Sequence, residues 1–284
     1  MSRPLLGAHV SVAGGYENGI VNAEKLGAEC IQIFGASPQQ WSAKVPDKAV
    51  CETFKKARAG SAVKSVYLHG PYLVNLASTD PVQIKKSITG LATHLKIAEA
   101  LGAQGLIFHV GSGKDLLSKA EAVKKASLAM KEVLKLAPGD AFLVMENSAS
   151  EKKVGATPEE LGEMMRLVKN PRAKVCVDTA HAFEAGLIDE YVPVKIKKFL
   201  DRWDSAVGLK NIVALHANDS KSEAGSNFDR HENIGKGHIG LAGFKNLAKE
   251  ARLAHTSWFL EVPGYEGLGP DKKNMDALKA CFVR

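Results

Sequence analysis

Apolar positions recur along this chain in two alternating patterns. Short β-rich runs fall at Leu5–Val10, Cys30–Phe34, Ser65–His69, Gly105–Val110, Ala141–Glu146, Lys174–Asp178, Asn211–His216 and Ser257–Val262. Longer stretches with helical spacing lie between them, at Gly15–Gly27, Asp47–Gly60, Pro81–Leu101, Leu117–Leu136, Pro158–Val168, Pro193–Trp203 and Leu241–Leu253, and Asp271–Cys281 closes the chain. Strands that alternate with helices predict a parallel sheet joined by right-handed crossovers. Several strands, Gly105–Phe108 and Ala141–Val144 among them, are apolar throughout, as strands covered on both faces must be. Eight such units in 284 residues fit an α/β fold, a single (β/α)8 TIM barrel, better than an open doubly wound sheet. No linker or break in composition divides the chain, so residues 1–284 read as one domain.

Helix starts carry their own chemistry. Thr157-Pro158-Glu159-Glu160 places a capping hydroxyl, a proline at the first helical position and a glutamate three residues on. Asp80-Pro81 offers a similar start, and Gly102 follows the long helix where a left-handed cap is expected.

Composition narrows the class. With 45% hydrophobic and 24% charged residues the chain is neither disordered nor of low complexity. No apolar run approaches the roughly 18 residues of a membrane span. The opening Met1-Ser2-Arg3-Pro4 has no signal-peptide pattern, so the expected location is the cytoplasm. Cys30, Cys51, Cys176 and Cys281 are widely spaced and read as free thiols. The 38 basic against 31 acidic residues leave a charge of +7, compatible with a polyanionic partner without establishing one.

In a barrel of this kind the site lies at the C-terminal ends of the strands. Those ends read His69, His109, Glu146, Asp178 with His181 just beyond, His216 and Glu261, one barrel unit apart each time. A single histidine at a strand end is more often structural than functional. A carboxylate ending an apolar strand is rarer, because burying it without a partner costs several kcal/mol, roughly 2–7 even for a neutral polar group. Six consecutive strand ends of this type form a cluster that chance does not explain. Asp229 and His231 add a D-x-H pair that, in an extended segment, can turn both side chains to one ion. Imidazole and carboxylate donors together suit zinc, and also manganese or iron. Nine candidate ligands exceed the four of one tetrahedral ion and point to two or three ions, the kind of site that serves phosphoester hydrolysis. The Gly235-Lys-Gly-His-Ile-Gly240 run matches a dinucleotide fingerprint but follows a polar loop, so it reads as a tight turn into the helix starting near Leu241.

Gly7-Ala-His-Val-Ser11, His69-Gly-Pro-Tyr-Leu-Val-Asn-Leu76, Phe108-His-Val-Gly-Ser112, Met145-Glu-Asn147, Val177-Asp-Thr-Ala-His-Ala-Phe183, Leu215-His-Ala-Asn-Asp-Ser-Lys221, Asp229-Arg-His231 and Leu260-Glu-Val-Pro-Gly264 resemble, in order and over nearly the whole chain, the endonuclease IV family of apurinic/apyrimidinic endonucleases. The resemblance implies three zinc ions and cleavage of duplex DNA on the 5′ side of abasic sites, leaving a 3′-hydroxyl. It assigns His69, His109 and Glu146 to one ion, with Glu146 bridging to a second that also takes Asp178, His216 and Glu261. His181, Asp229 and His231 take the third. A hydroxide held between two ions would attack phosphorus, with Glu146 and Glu261 closest to the chemistry and Glu261 orienting the nucleophile. Tyr72 and Leu73 would push into the duplex at the lesion. The chain departs from the family pattern at Gln39, where an arginine that contacts DNA is common, over residues 148–155, at Val110 and at Ala180. These positions bear on DNA grip and loop shape rather than on metal binding.

The runner-up is a metal-dependent sugar isomerase or epimerase on the same barrel, which would need one or two ions and gain nothing from Asp229 and His231. A DNA-binding protein that has lost catalysis is the third reading, and the complete ligand set argues against it. With no obvious apolar stripe, the expected state is a monomer.

Overall fold

Eight parallel strands pair edge to edge and close on themselves in the computed structural model, which describes residues 3–114 and 118–283. In chain order the elements are β1 (Leu5–His9), α1 (Glu17–Leu26), β2 (Cys30–Phe34), α2 (Lys48–Ala59), β3 (Ser65–His69), α3 (Pro81–Leu101), β4 (Gly105–His109), α4 (Lys119–Leu136), β5 (Phe142–Glu146), α5 (Pro158–Val168) and β6 (Ala173–Asp178). They continue with α6 (Thr179–Glu184), α7 (Pro193–Val207), β7 (Ile212–His216), β8 (Asp219–Ser220), β9 (His231–Glu232), α8 (Gly240–Leu247), β10 (Ser257–Leu260) and α9 (Lys272–Ala280). Each barrel strand pairs with its neighbour, and β1 against β10 closes the ring with Leu5 opposite Ser257 and Ala8 opposite Leu260. The expected (β/α)8 barrel is therefore the observed one.

Side chains of a strand alternate between its two faces, and the two faces here have separate cores. Outward residues such as Leu6, Ile31, Leu68, Leu106, Leu143 and Val175 join the helices in one large cluster. Inward residues Cys30, Tyr67, Ile107, Val144, Cys176, Ala214 and Phe259 form a second cluster inside the barrel. Gly7 completes that inward set on β1; a side chain there would meet the Cys30 carbonyl oxygen at 1.7 Å. All four cysteines are free and buried.

The helix caps form as the sequence indicates. The Asp80 carboxylate accepts from the Val82 amide at 2.9 Å, and the Thr157 hydroxyl accepts from Glu160 N at 3.2 Å. Glu160 turns away from its own cap and accepts instead from Gly155 N at 2.8 Å, tying the preceding loop to α5. Gly102 takes the left-handed conformation, φ 67°.

The structure departs from the sequence reading, or adds to it, at four places. Leu241–Leu253 is not one helix: α8 ends at Leu247, and Ala251–Leu253 is a separate 3-10 turn. α6 follows directly on Asp178, whose carboxylate caps it by accepting from His181 N at 2.8 Å. The polar loop after His216 contains the β8–β9 hairpin, in which Ser220 pairs with His231. The last strand stops at Leu260, so Glu261 is the first residue beyond it. Leu117, expected to open the fourth helix, lies outside the described residues, as do Met1 and Ser2.

A candidate metal centre at the barrel mouth

Two residues past each inward core position, on the same face of the strand or, for Glu261, one residue beyond its end, stands a polar side chain. Gly7 leads to His9, Cys30 to Gln32, Tyr67 to His69, Ile107 to His109, Val144 to Glu146, Cys176 to Asp178, Ala214 to His216 and Phe259 to Glu261. The barrel thus carries one inward polar residue per strand at its C-terminal end, over an apolar floor. Of these, His9, His69, His109 and Glu261 line a cavity of about 1350 Å³ together with Phe34, Tyr72, His181, Asp229 and His231.

The donors gather in three groups whose ligand atoms lie within 4.8 Å of one another: His69, His109 and Glu146; Glu146, Asp178, His216 and Glu261; and Asp178, His181 and His231. Glu146 belongs to two groups, and so does Asp178. Asp229 stands beside the third, its Oδ1 3.3 Å from His181 Nε2 and 3.7 Å from His231 Nε2. All nine residues singled out from the sequence therefore converge on one mouth.

Four of the imidazoles have one ring nitrogen held by an oxygen acceptor outside the set of ligand atoms. His69 Nδ1 lies 2.8 Å from the Gly70 carbonyl, which turns Nε2 to Glu146 at 3.3 Å. His181 Nδ1 is 2.9 Å from the Asn147 carbonyl and His231 Nδ1 is 3.3 Å from that of Glu261. In both, Nε2 is left toward the carboxylates. His216 is reversed: Nε2 meets Gln32 Oε1 at 2.8 Å, and Nδ1 lies 3.0 Å from Glu146 and 3.1 Å from Glu261. An imidazole whose second nitrogen is held by an oxygen acceptor is the common arrangement around bound metals.

Amides support the carboxylates in turn. Asn218 donates to Asp178 Oδ2 at 2.7 Å and accepts from Glu261 N at 2.7 Å. Asn147 Oδ1 accepts from Asp178 N at 2.6 Å. The burial of Glu146 opposes its ionisation, but His109, His216 and His181 around it outweigh that and hold it well below the usual carboxylate range. Burial is likewise overcome at Glu261 by His216 and His9. Burial pushes His109 down to about 4. Glu146 and Glu261 are thus charged and the His109 ring neutral near pH 7, the states in which each can donate a lone pair to a cation. The carboxylates around His181 and His216 overcome burial and hold those rings well above the usual imidazole range, so a cation there would displace a proton.

Tyr72 is exposed at the rim, its ring edge-on to Phe34 at 5.6 Å and its amide bonded to Pro38 O at 3.1 Å. Leu73 is half-buried, and its carbonyl accepts from Gln83 Nε2 at 2.7 Å. Gln39 is exposed next to Pro38, which lines the cavity. Across the mouth, Leu268 is 87% exposed on the loop that follows Glu261. Residues 148–155 close a turn in which Ser148 N bonds Gly155 O at 3.2 Å, and Asn227 Oδ1 accepts from Glu151 N at 2.9 Å, tying that turn to the Asp229 loop.

The glycine run at 235–240 wraps a carboxylate of the protein itself. Asp219 accepts from the amides of Gly235, Gly237, Ile239 and Gly240 at 2.9–3.2 Å. A side chain on Gly237 would meet Ser220 O at 2.2 Å.

Sequence reasoning passed over His9 and Gln32 as site residues. His9 ends β1 as the other histidines end their strands, and Gln32 interrupts an otherwise apolar strand. Both signals were readable.

The chain matches the family described as xylose isomerase-like TIM barrel over residues 20–281. It is 35% identical to the probable endonuclease 4 of Persephonella marina over 278 residues, 96% of this chain and 95% of that protein. Against the probable endonuclease 4 of Aquifex aeolicus it is 35% identical over 280 residues, 98% of both. Its fold superposes on the crystal structure of endonuclease IV from Thermus thermophilus with a TM-score of 0.86, at 32% identity and covering 98% of each chain. With identity at this level along almost the full length, the chain belongs to the endonuclease IV family.

Proposed function

We propose that this protein is a DNA-repair hydrolase that cuts duplex DNA on the 5′ side of abasic sites, leaving a 3′-hydroxyl and a 5′-deoxyribose phosphate. The observation that carries the reading is the convergence at one open mouth of eight histidine and carboxylate donors, in three groups sharing Glu146 and Asp178, with Asp229 beside the third. The donor set fits divalent ions on its own geometry. His109 Nδ1, His181 Nε2 and His231 Nε2 are buried and have no hydrogen-bond partner among the described residues, although carboxylate oxygens lie 3.3–3.7 Å away. Left empty, such nitrogens would each cost the desolvation of a polar group.

Three zinc ions suit the donors, with Mn2+ or Fe2+ as substitutes. His69, His109 and Glu146 would hold one; Glu146, Asp178, His216 and Glu261 a second; His181, His231 and Asp229 the third, with Asp178 between the last two. Such ions, when bound, activate water and stabilise negative charge on a leaving oxygen. The protein's part is orientation. Glu261, gripped by Gln32 at 2.5 Å and backed by Asn218, presents its Oε2 toward His216 at the centre. Glu146 spans two groups and fixes their spacing. Tyr72 and Leu73 supply an apolar wedge at the lesion, and the net positive charge draws the duplex in. Gln39 lies where flanking DNA would pass. The barrel alone does not distinguish this chemistry from sugar isomerisation; the third donor group supports hydrolysis, because an isomerase has no use for it. As a single-domain, cytoplasmic monomer the protein would need no partner but damaged DNA.

The test is cleavage of a duplex carrying one abasic site beside an intact duplex of the same sequence. Selective nicking of the first is expected; equal treatment of both, or turnover of ketose sugars instead, would overturn the proposal.

A further inference from the structure

Gln32 is the one amide in the inward polar ring, fully buried in the middle of β2. Its three contacts fix the direction of every proton around it. Glu261, an ionised carboxylate, can only accept, so the Gln32 nitrogen must face it, as it does at 2.5 Å from Oε1. Gln32 Oε1 then faces His216 Nε2 at 2.8 Å and can only accept, so Nε2 of His216 carries the proton. His216 Nδ1 faces Glu146, Glu261 and Asp178 at 3.0, 3.1 and 3.7 Å, so it is the nitrogen whose lone pair a cation among those carboxylates would take once it displaced the proton there. The second amide hydrogen of Gln32 lies toward His9 Nδ1 at 2.9 Å.

We infer that Gln32 is a positioning residue: one buried carboxamide sets the tautomer of His216 and the rotamer of Glu261 at the same time, so that two donors from separate strands present the correct atoms to a shared ion. No other described side chain bonds to both His216 Nε2 and Glu261 Oε1. Gln32 stands behind its two partners, away from the substrate, and acts only through them. The inference rests on the proposed reading of the donors as a metal centre, but its test does not depend on which substrate is cut.

The experiment uses zinc-loaded protein labelled with 15N-histidine. In the wild type, His216 Nε2 should carry a slowly exchanging proton and Nδ1 should show the shift of a metal-bound nitrogen. Gln32→Met, similar in volume and unable to hydrogen-bond, should let the Nε2 proton exchange rapidly and loosen zinc about 10–100-fold in chelator competition. A metal-bound shift on Nε2 in the wild type would overturn the inference without recourse to any variant. So would a Gln32→Met protein that folds and keeps both the proton and its zinc affinity within threefold. Failure of the wild type to nick abasic DNA would count against the proposed reaction while leaving the spectroscopic result to decide the role of Gln32.

Discussion

Replacing Asp219 by alanine should release the loop that holds His231. The Asp219 carboxylate accepts from five amides: Ser220, Ile239 and Gly240 on Oδ1, and Gly235 and Gly237 on Oδ2, all at 2.9–3.2 Å. Gly235, Gly237 and Gly240 are partly exposed, so water can replace much of what they lose. Ile239 and Ser220 are buried, and their amides would be left without an acceptor. An unsatisfied buried amide costs about 1–3 kcal/mol, so these two and the partial loss at the glycines sum to about 3 kcal/mol. Spent on local opening, that is roughly a hundredfold faster amide exchange over residues 235–240. The assay is hydrogen–deuterium exchange read peptide by peptide. Because β8 pairs with β9 through Ser220 and His231, the same variant should also retain less metal in the third group. Exchange within threefold of the wild type would show that the glycine run stands without its carboxylate and refute the reasoning.

Glu261→Gln should lower nicking of an abasic duplex by several orders of magnitude with the thermal transition unchanged; near-normal turnover would remove Glu261 from the chemistry. Gln39→Arg should tighten binding of an abasic duplex and steepen its salt dependence by about one unit of slope, and equal affinity and slope would show that the position does not touch DNA. His94, buried with both ring nitrogens unpartnered among the described residues, is pushed by burial down to about 4. Its neutral form is favoured on folding, so its contribution is intact above pH 6.5 and lost as pH falls toward 4. His94→Leu should therefore lose about 1 kcal/mol less stability than the wild type between pH 7.5 and 5.5, measured by denaturant unfolding with chelator present; parallel losses would contradict the burial argument.

The barrel was legible because its strands are short apolar runs bounded by turn residues, and β2 and β3 match their sequence-derived limits residue for residue. The ligands were legible because a carboxylate or histidine at the end of such a run has nowhere to point but the mouth. What escaped notice depends on contacts between distant segments. α6 is a single turn and a half, too short for a period to show, and exists because Asp178 caps it. The β8–β9 hairpin is two residues long on each side and is pinned by Asp219 through amides 16–21 residues away. Asp178 joins the third donor group as well as the second, a sharing that strand spacing alone does not encode. His9 and Gln32, by contrast, obey the same rule as the ligands, two residues beyond the inward core on β1 and β2.

The central claim is that these donors hold ions which drive hydrolysis at an abasic site, and product end chemistry tests it most directly. A duplex with one abasic site, cut by the purified protein, should yield a 3′-hydroxyl and a 5′-deoxyribose phosphate; the activity should vanish after thorough metal removal and return with zinc. An unsaturated aldehyde at the 3′ end, formed equally well in chelator, or no cut at all with about three metal equivalents bound, would contradict the account.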